Sequence, residues 1–408
     1  MRNGTATARD AVILGAGLSG LTTALALAEG GLTVSLVDQI DPRTAAGGQS
    51  DVRTTAISLS SRRLLTTLGA WDAVASDAEP ILDIRVSDFE SPFYLHYDHR
   101  AAGDEPMGHI VGNTALKASL LDRLAAHGDR VSIIAPGIAA ALRRQAGGAT
   151  LTLDDGQTLT APVILGADGR RSRLRDLAGI RVTTTDYRQS SIVDTIAHER
   201  PHHNLAHERF LPGGPIALLP LRHQRSALVW TERTKVANHI AQLDDATFGA
   251  ALQERVGDSL GRLTPLGPRQ VYPLSLVVAE AYVAERVALV GDAAHAIHPI
   301  AGQGFNLGLR DVAALAEVLT DASRLGLDLG SATVLRDYQR RRRFDTMTLV
   351  AATDGLTRLF SNDIAPLRTV RGLGLGLVER IPAFKRAAIR HAMGTLGSLP
   401  RLLRGEPL

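Results

Sequence analysis

The chain has 408 residues, 45% of them hydrophobic and 21% charged, and a formal net charge of only +3. This composition indicates a globular protein with room for two or three domains. No apolar run reaches the roughly 18 to 20 residues that span a bilayer. The sequence has no cysteine, which excludes disulfides, cysteine-ligated zinc and a cysteinyl flavin link. The lack of cysteine suits a cytoplasmic protein.

A nucleotide-binding pattern comes first in the chain. Residues 10–38 read as strand, GAGLSG turn, helix and second strand, with an acidic residue 23 positions after the first glycine. Gly15 suits the tight turn, Gly17 lets backbone approach a pyrophosphate, Gly20 lets the helix close on the sheet, and Asp38 suits the adenosine ribose. A signal peptide is the alternative for the apolar stretch 11–28, but the glycines and the second strand argue against it. The cofactor-binding residues expected here are Gly15, Gly17, Leu18, Ser19, Gly20 and Asp38.

The next segments predict a chain that leaves the nucleotide domain and returns to it. A helix is expected over 58–71, strands of a second domain over 76–106, and a return at GHIVGN, residues 108–113. Residues 149–153 and 157–161 alternate around Asp155-Gly156 and predict a hairpin. The strand that follows ends in GADGRRS, residues 166–172, and residues 182–273 then read as β-rich.

A second glycine-rich motif follows, GDAAHAIHPIAGQGFNLGLRD at residues 291–311. Residues 287–290 predict a buried strand, Gly291-Asp292 a turn at its carboxyl end, and Gln303 onward a helix. Residues 333–408 read as helices packed outside. From residue 361 onward the sequence has eight Lys and Arg residues against three Asp and Glu residues, so this segment is expected either to contact an anionic membrane surface or to form a solvated helical cap.

Six motifs together resemble the ubiquinone-biosynthesis hydroxylases, a group of single-component FAD monooxygenases. They are GAGLSG, DVRTTAISLSSRRLLTTLGAW, GHIVGN, GADGRRS, ERFLPGGPIALLPL and GDAAHAIHPIAGQGFNLGLRD. The resemblance implies an α/β protein whose Rossmann-like, p-hydroxybenzoate hydroxylase-like FAD domain is interleaved with a β-sheet substrate domain. It implies noncovalent FAD, NADH or NADPH, O2 and a prenylated phenol, hydroxylated on its ring through a flavin C4a-hydroperoxide.

The resemblance also assigns expected site residues. Pro299 is expected to wall the flavin ring, and a helix beginning near Gln303 would turn its positive end toward the negative charge of reduced flavin. The motifs do not identify a catalytic base, the ring position attacked or the length of the prenyl tail. The further cofactor-binding residues expected are Arg53, Asn113, Asp168, Gly169, Asp292, Gly302, Gly304, Phe305 and Asn306.

The interleaved motifs predict three regions. The FAD-binding domain is expected at 1–75, 107–181 and 274–332, the substrate domain at 76–106 and 182–273, and C-terminal helices at 333–408. The histidine pair His295 and His298 is expected to pack around the flavin without a metal, and nucleic acid is not expected as a partner. Alternatives are a hydroxylase of another aromatic compound, a flavin halogenase, whose tryptophan signature is missing, and a non-catalytic scaffold of a membrane-associated ubiquinone-biosynthesis complex.

Overall fold

A computed structural model describes residues 9–44, 51–88, 94–298, 302–360 and 382–408. The strands, numbered along the chain, are β1 (Ala11–Leu14), β2 (Val34–Val37), β3 (Thr54–Ser58), β4 (Glu79–Ile81), β5 (Asp83–Asp88), β6 (Tyr94–Asp98), β7 (Gly108–Gly112), β8 (Val131–Ile134), β9 (Ala139–Gln145), β10 (Gly148–Leu153), β11 (Thr158–Ala161), β12 (Val163–Gly166), β13 (Val182–His198), β14 (Leu205–Leu211), β15 (Gly214–Leu221), β16 (Arg225–Arg233), β17 (Leu263–Pro265), β18 (Gln270–Ala279), β19 (Val283–Ala284), β20 (Val287–Leu289) and β21 (His295–Ala296). The helices are α1 (Leu18–Glu29), α2 (Leu59–Thr67), α3 (Asp72–Ala75), α4 (Asn113–Ala125), α5 (Arg173–Leu177), α6 (Thr234–Ala241), α7 (Asp245–Val256), α8 (Gly304–Arg324), α9 (Ala332–Phe360), α10 (Pro382–Ala392) and α11 (Arg401–Arg404).

The first large sheet is the nucleotide-binding sheet. Its strand order is β19-β20-β12-β1-β2-β8, and the five strands from β20 to β8 are parallel. β1, β2 and β12 are buried along their whole length, as expected for parallel strands covered on both faces. The mixed α/β class is therefore confirmed, and the ends of β1 and β20 lead into the two glycine-rich motifs.

The second large sheet is mostly antiparallel and has the order β21-β18-β13-β16-β15-β14-β5-β6. A core that includes Trp230 and Phe248 fills the space between this sheet and helices α6 and α7. The other face of the sheet turns toward the nucleotide-binding part of the protein. The segment 76–106 supplies β5 and β6 to this sheet. Its other strand, β4, belongs to a separate three-stranded sheet with the order β3-β7-β4.

Two details of this region differ from the sequence-based expectation. The stretch read as β-rich contains two helices, α6 and α7. Helix α7 buries Phe248 and Leu252 against the sheet. A short segment with a few apolar residues fits a helix or a strand, so the sequence did not distinguish the two. Strand β18 pairs with β13 along its length, so the boundary expected at 273/274 falls inside a strand and is better placed after Ala279.

The C-terminal helices are not wholly external. Tyr338 on α9 is fully buried and its hydroxyl donates a hydrogen bond of 2.7 Å to the carbonyl oxygen of Leu289. Ile389 and Met393 also lie in a core with Ile81 and Met107, so these two apolar residues are not free to face a lipid surface. Among the residues described, no helix combines the length and apolar character that crossing a membrane would require.

Candidate active site

A cavity of about 740 Å³ lies where the two parts of the protein meet. One side is formed by the glycine turn, strand β3 and the second glycine-rich motif, and the other by mostly apolar residues of the second large sheet. Of the expected cofactor residues, those on the cavity wall are Gly17, Leu18, Ser19, Arg53, Asn113, Gly169, Asp292, Gly302, Gly304, Phe305 and Asn306. The fold therefore brings together motifs that are almost three hundred residues apart in the chain.

The three glycines of the first motif have different physical roles. Gly15 has a φ of +97°, and a Cβ atom there would overlap the carbonyl oxygen of Ala167. A Cβ atom at Gly20 would overlap the carbonyl oxygen of Gly15. At Gly17, by contrast, no described protein atom lies within 4 Å of such a Cβ, so the space in front of this residue is open to the cavity.

Helix α1 begins at this turn with unsatisfied backbone donors. Gly17 is its N-cap, and no side chain of the described structure caps the helix. Asp38 lies at the end of β2, where its Oδ2 accepts a hydrogen bond of 2.5 Å from the backbone N–H of Ala16. Open N–H groups and the positive end of a helix make this a site for an anion such as a pyrophosphate.

The second motif forms a tight corner against the first. Gly291 has a φ of +60°, and a Cβ atom there would lie 2.9 Å from Ser19 Oγ. The side chain of Asp292 is exposed to the cavity, yet the surrounding protein desolvates it and raises the pKa of its carboxyl group. Helix α8 begins at Gly304, and no described side chain caps it, so its first N–H groups are also available.

Asn306 holds this corner in place. Its side chain is 2% exposed, its Nδ2 donates to the carbonyl oxygen of Ala56 at 2.8 Å, and its Oδ1 accepts from the N–H of Ser58 at 2.9 Å. The side chain thus ties α8 to β3 across 250 residues, while the backbone lines the cavity.

Two other expected residues lie on the β3 side of the cavity. Arg53 forms a bidentate ion pair with Asp51 at 2.7 and 2.8 Å, and its guanidinium lies 5.5 Å from the ring centroid of Tyr272. The side-chain oxygen of Asn113 accepts a hydrogen bond from Thr55. Arg53 is therefore a positioned cation at the cavity wall.

Asp168 and Gly169, the DG motif within GADGRRS, have different roles. Gly169 lines the cavity with a φ of +77°. Asp168 does not line it; its Oδ2 accepts a 3.0 Å hydrogen bond from the N–H of Leu174, and burial raises the pKa of its carboxyl group. Buried Arg175 donates to the carbonyl oxygens of Ala293 at 3.0 Å and Arg170 at 3.1 Å. It therefore links the loop after β12 to the second glycine-rich motif.

A network of buried ion pairs lies behind the second glycine-rich motif, and the sequence did not predict it. Asp311 is fully buried and accepts hydrogen bonds from the Gly291 N–H at 3.0 Å, His295 Nε2 at 2.6 Å and Arg342 Nε at 2.7 Å. Arg342 also donates to Asp345 at 2.7 Å. Burial alone would raise the pKa of Asp311, but attraction to His295 and Arg342 outweighs it and lowers the pKa below its usual value.

The histidines expected near the flavin have separate environments. His298 is buried against the Tyr187 ring, with ring centroids 5.2 Å apart. Burial lowers the pKa of His298 to about 4, and neither ring nitrogen has a hydrogen-bond partner among the described residues. Pro299 lies outside the described residues. The sequence places His202, His203 and His207 in a loop and at a strand edge, where exposed histidines are expected. His203 is exposed, whereas His202 and His207 are half-buried, and His207 lines the cavity.

The residues present fit FAD. An adenosine diphosphate needs an anion site where backbone can approach closely, and the open face of Gly17 at the start of α1 provides one. A flavin ring that carries negative charge when reduced needs a positive group, and the uncapped start of α8 faces the same cavity. The geometry supports a flavin site with an adjoining apolar compartment.

Comparisons with known proteins agree with this arrangement. The model of the FAD binding domain family matches residues 8–353. The chain is 49% identical to ubiquinone hydroxylase UbiL of Rhodospirillum rubrum, with 98% of this chain and 93% of that protein covered. It is 36% identical to 3-demethoxyubiquinol 3-hydroxylase of Escherichia coli, with 94% and 98% covered. The solved structure of p-nitrophenol 4-monooxygenase PnpA from Pseudomonas putida superposes with a TM-score of 0.78 at 18% identity, covering 96% of this chain and 99% of that one, which is a likeness of fold.

Proposed function

The chain belongs to the ubiquinone-biosynthesis family of FAD-dependent hydroxylases, and from this premise we propose that its substrate is a polyprenylphenol on the way to ubiquinone. As an FAD-dependent aromatic monooxygenase of this family it uses NAD(P)H and O2. One oxygen atom enters an aromatic C–H position and the other leaves as water. The halogenase and scaffold alternatives are not retained, because the relatives that match nearly the whole chain are hydroxylases.

The observation that carries the substrate proposal is the two-part character of the cavity. The flavin motifs form one end, whereas the other end is mostly apolar and is formed by residues of the second sheet, of β4 and of the segment just before β7. An aromatic ring with a prenyl tail is an apolar body with one polar group, so it suits this compartment. The apolar wall residues are Ile81, Ile84, Met107, Ala206, Ala217, Leu219 and Val229.

We assign the following roles to residues of this chain. The backbone N–H groups at the start of α1 bind the pyrophosphate of FAD, and Gly17 leaves room for it. Asp38 accepts hydrogen bonds from the ribose of the adenosine, and Asp292 bonds a hydroxyl of the ribityl chain. Bound FAD supplies the chemistry that reduces and activates oxygen. The start of α8, at Gly304 and Phe305, stabilises negative charge on the reduced ring.

The test is a product assay with purified FAD-loaded protein, NADPH and a short-chain prenylphenol. We expect NADPH consumption that depends on the phenol and a product heavier by one oxygen atom, which is labelled when the reaction is run under ¹⁸O₂. NADPH oxidation that yields only hydrogen peroxide with every prenylphenol, but product with another aromatic compound, would replace the substrate proposal. Complementation of strains that each lack one ring hydroxylation then assigns the ring position.

We also propose a peripheral contact between this enzyme and anionic membrane lipid, supported by the basic residues after position 361 and by a substrate with a prenyl tail. The test replaces Arg368, Arg371 and Arg380 together by glutamine and measures sedimentation with anionic and with neutral liposomes. We expect weaker binding to the anionic liposomes at unchanged FAD content, since each basic residue near such a surface contributes about 1 kcal/mol. Equal binding by both proteins contradicts the contact.

A further inference from the structure

One row of side chains crosses the second large sheet and contains a single carboxylate. The backbone pairing places these residues side by side on neighbouring strands, and directly paired residues point to the same face of a sheet. Glu208 on β14 is paired with Ala217 on one side and with Val86 on the other. The complete row across β6, β5, β14, β15, β16 and β13 is Leu95, Val86, Glu208, Ala217, Val229 and Val193.

The row faces the cavity. Glu208, Ala217 and Val229 are all on the cavity wall. The alternating residues Leu218 and Leu228 point the other way, into the core beneath helices α6 and α7. Since successive side chains of a strand alternate between faces, the carboxylate of Glu208 lies on the cavity side, where its residue is 9% exposed.

Glu208 differs from the other carboxylates on the described wall of this cavity, Asp51 and Asp292. Asp51 lies beside Arg53 on the β3 side of the cavity, and Asp292 lies in the second glycine-rich motif, which we assign to FAD. Glu208 is the carboxylate that the second sheet contributes to the wall, and apart from His207 the other residues of this sheet on the wall are apolar. It therefore stands in the compartment that would receive the substrate ring rather than in the part that would receive FAD.

We propose that Glu208 recognises the phenol hydroxyl of the aromatic substrate by accepting its hydrogen bond. The inference rests on the proposed function, because it supposes a phenol in the apolar compartment. A carboxyl oxygen accepts a hydrogen bond from a phenol hydroxyl, and this bond is stronger when the carboxyl group is ionised. The phenol keeps its proton in the bound state and no covalent bond breaks. The bond orients the ring toward the flavin end of the cavity and increases electron density at the carbons ortho and para to the hydroxyl, the positions that an electrophilic oxygen atom attacks.

The experiment compares two ligands on the FAD-loaded protein. Dissociation constants of a short-chain prenylphenol and of the matching prenylbenzene, which lacks the hydroxyl, are measured from the change in flavin absorbance. We expect the wild type to bind the phenol roughly 10- to 100-fold more tightly than the prenylbenzene. In Glu208→Leu the ratio should fall to about 3 or less, and in Glu208→Gln, which keeps an uncharged acceptor, it should fall to an intermediate value.

Glu232→Gln is the matched control. Glu232 is also 9% exposed, but it lies two residues after Trp230 and shares the face of the sheet that packs on α7. Burial raises the pKa of its carboxyl group, so the substitution tests a buried carboxylate that does not face the cavity. This variant should keep the wild-type ratio, because a general effect of losing a buried charge would not distinguish phenol from prenylbenzene.

The inference is overturned if the ratio is the same in the wild type and in both Glu208 variants, or if the wild type shows no preference for the phenol. If Glu208→Leu does not retain FAD, the ratio measured for Glu208→Gln alone is compared with that of the wild type, and an unchanged ratio overturns the inference. Product formation by the wild type tests the proposed function separately: hydroxylated product with an unchanged ratio removes only the role of Glu208. A ratio that falls without product formation by the wild type removes only the hydroxylation.

Discussion

Replacement of Gly17 by leucine should weaken FAD binding without a comparable effect on the stability of the apoprotein. The residue has a φ of −74°, which any amino acid adopts, and no described protein atom lies within 4 Å of a Cβ built there. A leucine side chain therefore meets no described protein atom at its Cβ, whereas it projects into the space where we place the pyrophosphate. The apoprotein should tolerate a change that the FAD complex does not.

The expected sizes of the two effects differ clearly. Loss of a glycine N-cap changes helix stability by about 1 kcal/mol. Exclusion of the pyrophosphate removes hydrogen bonds to a charged group, each contributing about 1.5–3 kcal/mol. Loss of two such bonds gives at least ~3 kcal/mol, which corresponds to a fall in FAD affinity of roughly 100-fold or more.

The assay is a titration of apoprotein with FAD, followed by quenching of flavin fluorescence, together with urea unfolding of the same apoprotein. Gly112→Leu is the matched control, because Gly112 is also an N-cap glycine with a negative φ, −67°, and an open Cβ position, but it is not on the cavity wall. We expect that control to bind FAD like the wild type. Wild-type FAD affinity in Gly17→Leu, or a fall in unfolding free energy as large as the fall in binding free energy, refutes the reasoning.

Three further substitutions test buried polar groups of the protein, two of them next to the site. Arg342→Met leaves the buried carboxylate of Asp311 without one partner and should lower the free energy of unfolding by about 3–5 kcal/mol, whereas exposed Arg340→Met should change it by less than about 0.5 kcal/mol; equal effects in urea unfolding would contradict the network. Asn306→Ala removes the tie between α8 and β3 and should cost about 2 kcal/mol or more in urea unfolding and weaken FAD binding; an unchanged FAD dissociation constant would show that the tie does not support the site. Burial raises the pKa of Asp194 from 3.8 to about 6, so ionisation of its carboxyl group lowers the free energy of unfolding. This loss is absent below about pH 4 and is complete above pH 6. The stability of Asp194→Asn relative to wild type should therefore rise by up to ~3 kcal/mol between pH 4 and pH 7, and a difference that does not vary with pH would refute the assignment.

The local parts of the site were predictable because they depend on short-range conformation. Gly15 and Gly291 adopt the positive φ values that a tight turn demands. The hairpin around Asp155-Gly156 forms between β10 and β11 as expected. Each of these features requires particular residue types within a few positions of each other, so the amino-acid pattern records it directly.

The sequence by itself determined that two glycine-rich corners and an acidic strand end suit a dinucleotide, and hence the family and the α/β class. Only the tertiary structure decided which polar side chains support that site: Asn306 bonds the backbone of β3, Asp311 takes Arg342 as its partner, and Glu208 faces the cavity rather than the core. The physical reason is that a turn is a property of neighbouring residues. The partner of a buried polar group depends instead on which distant elements the topology packs against it.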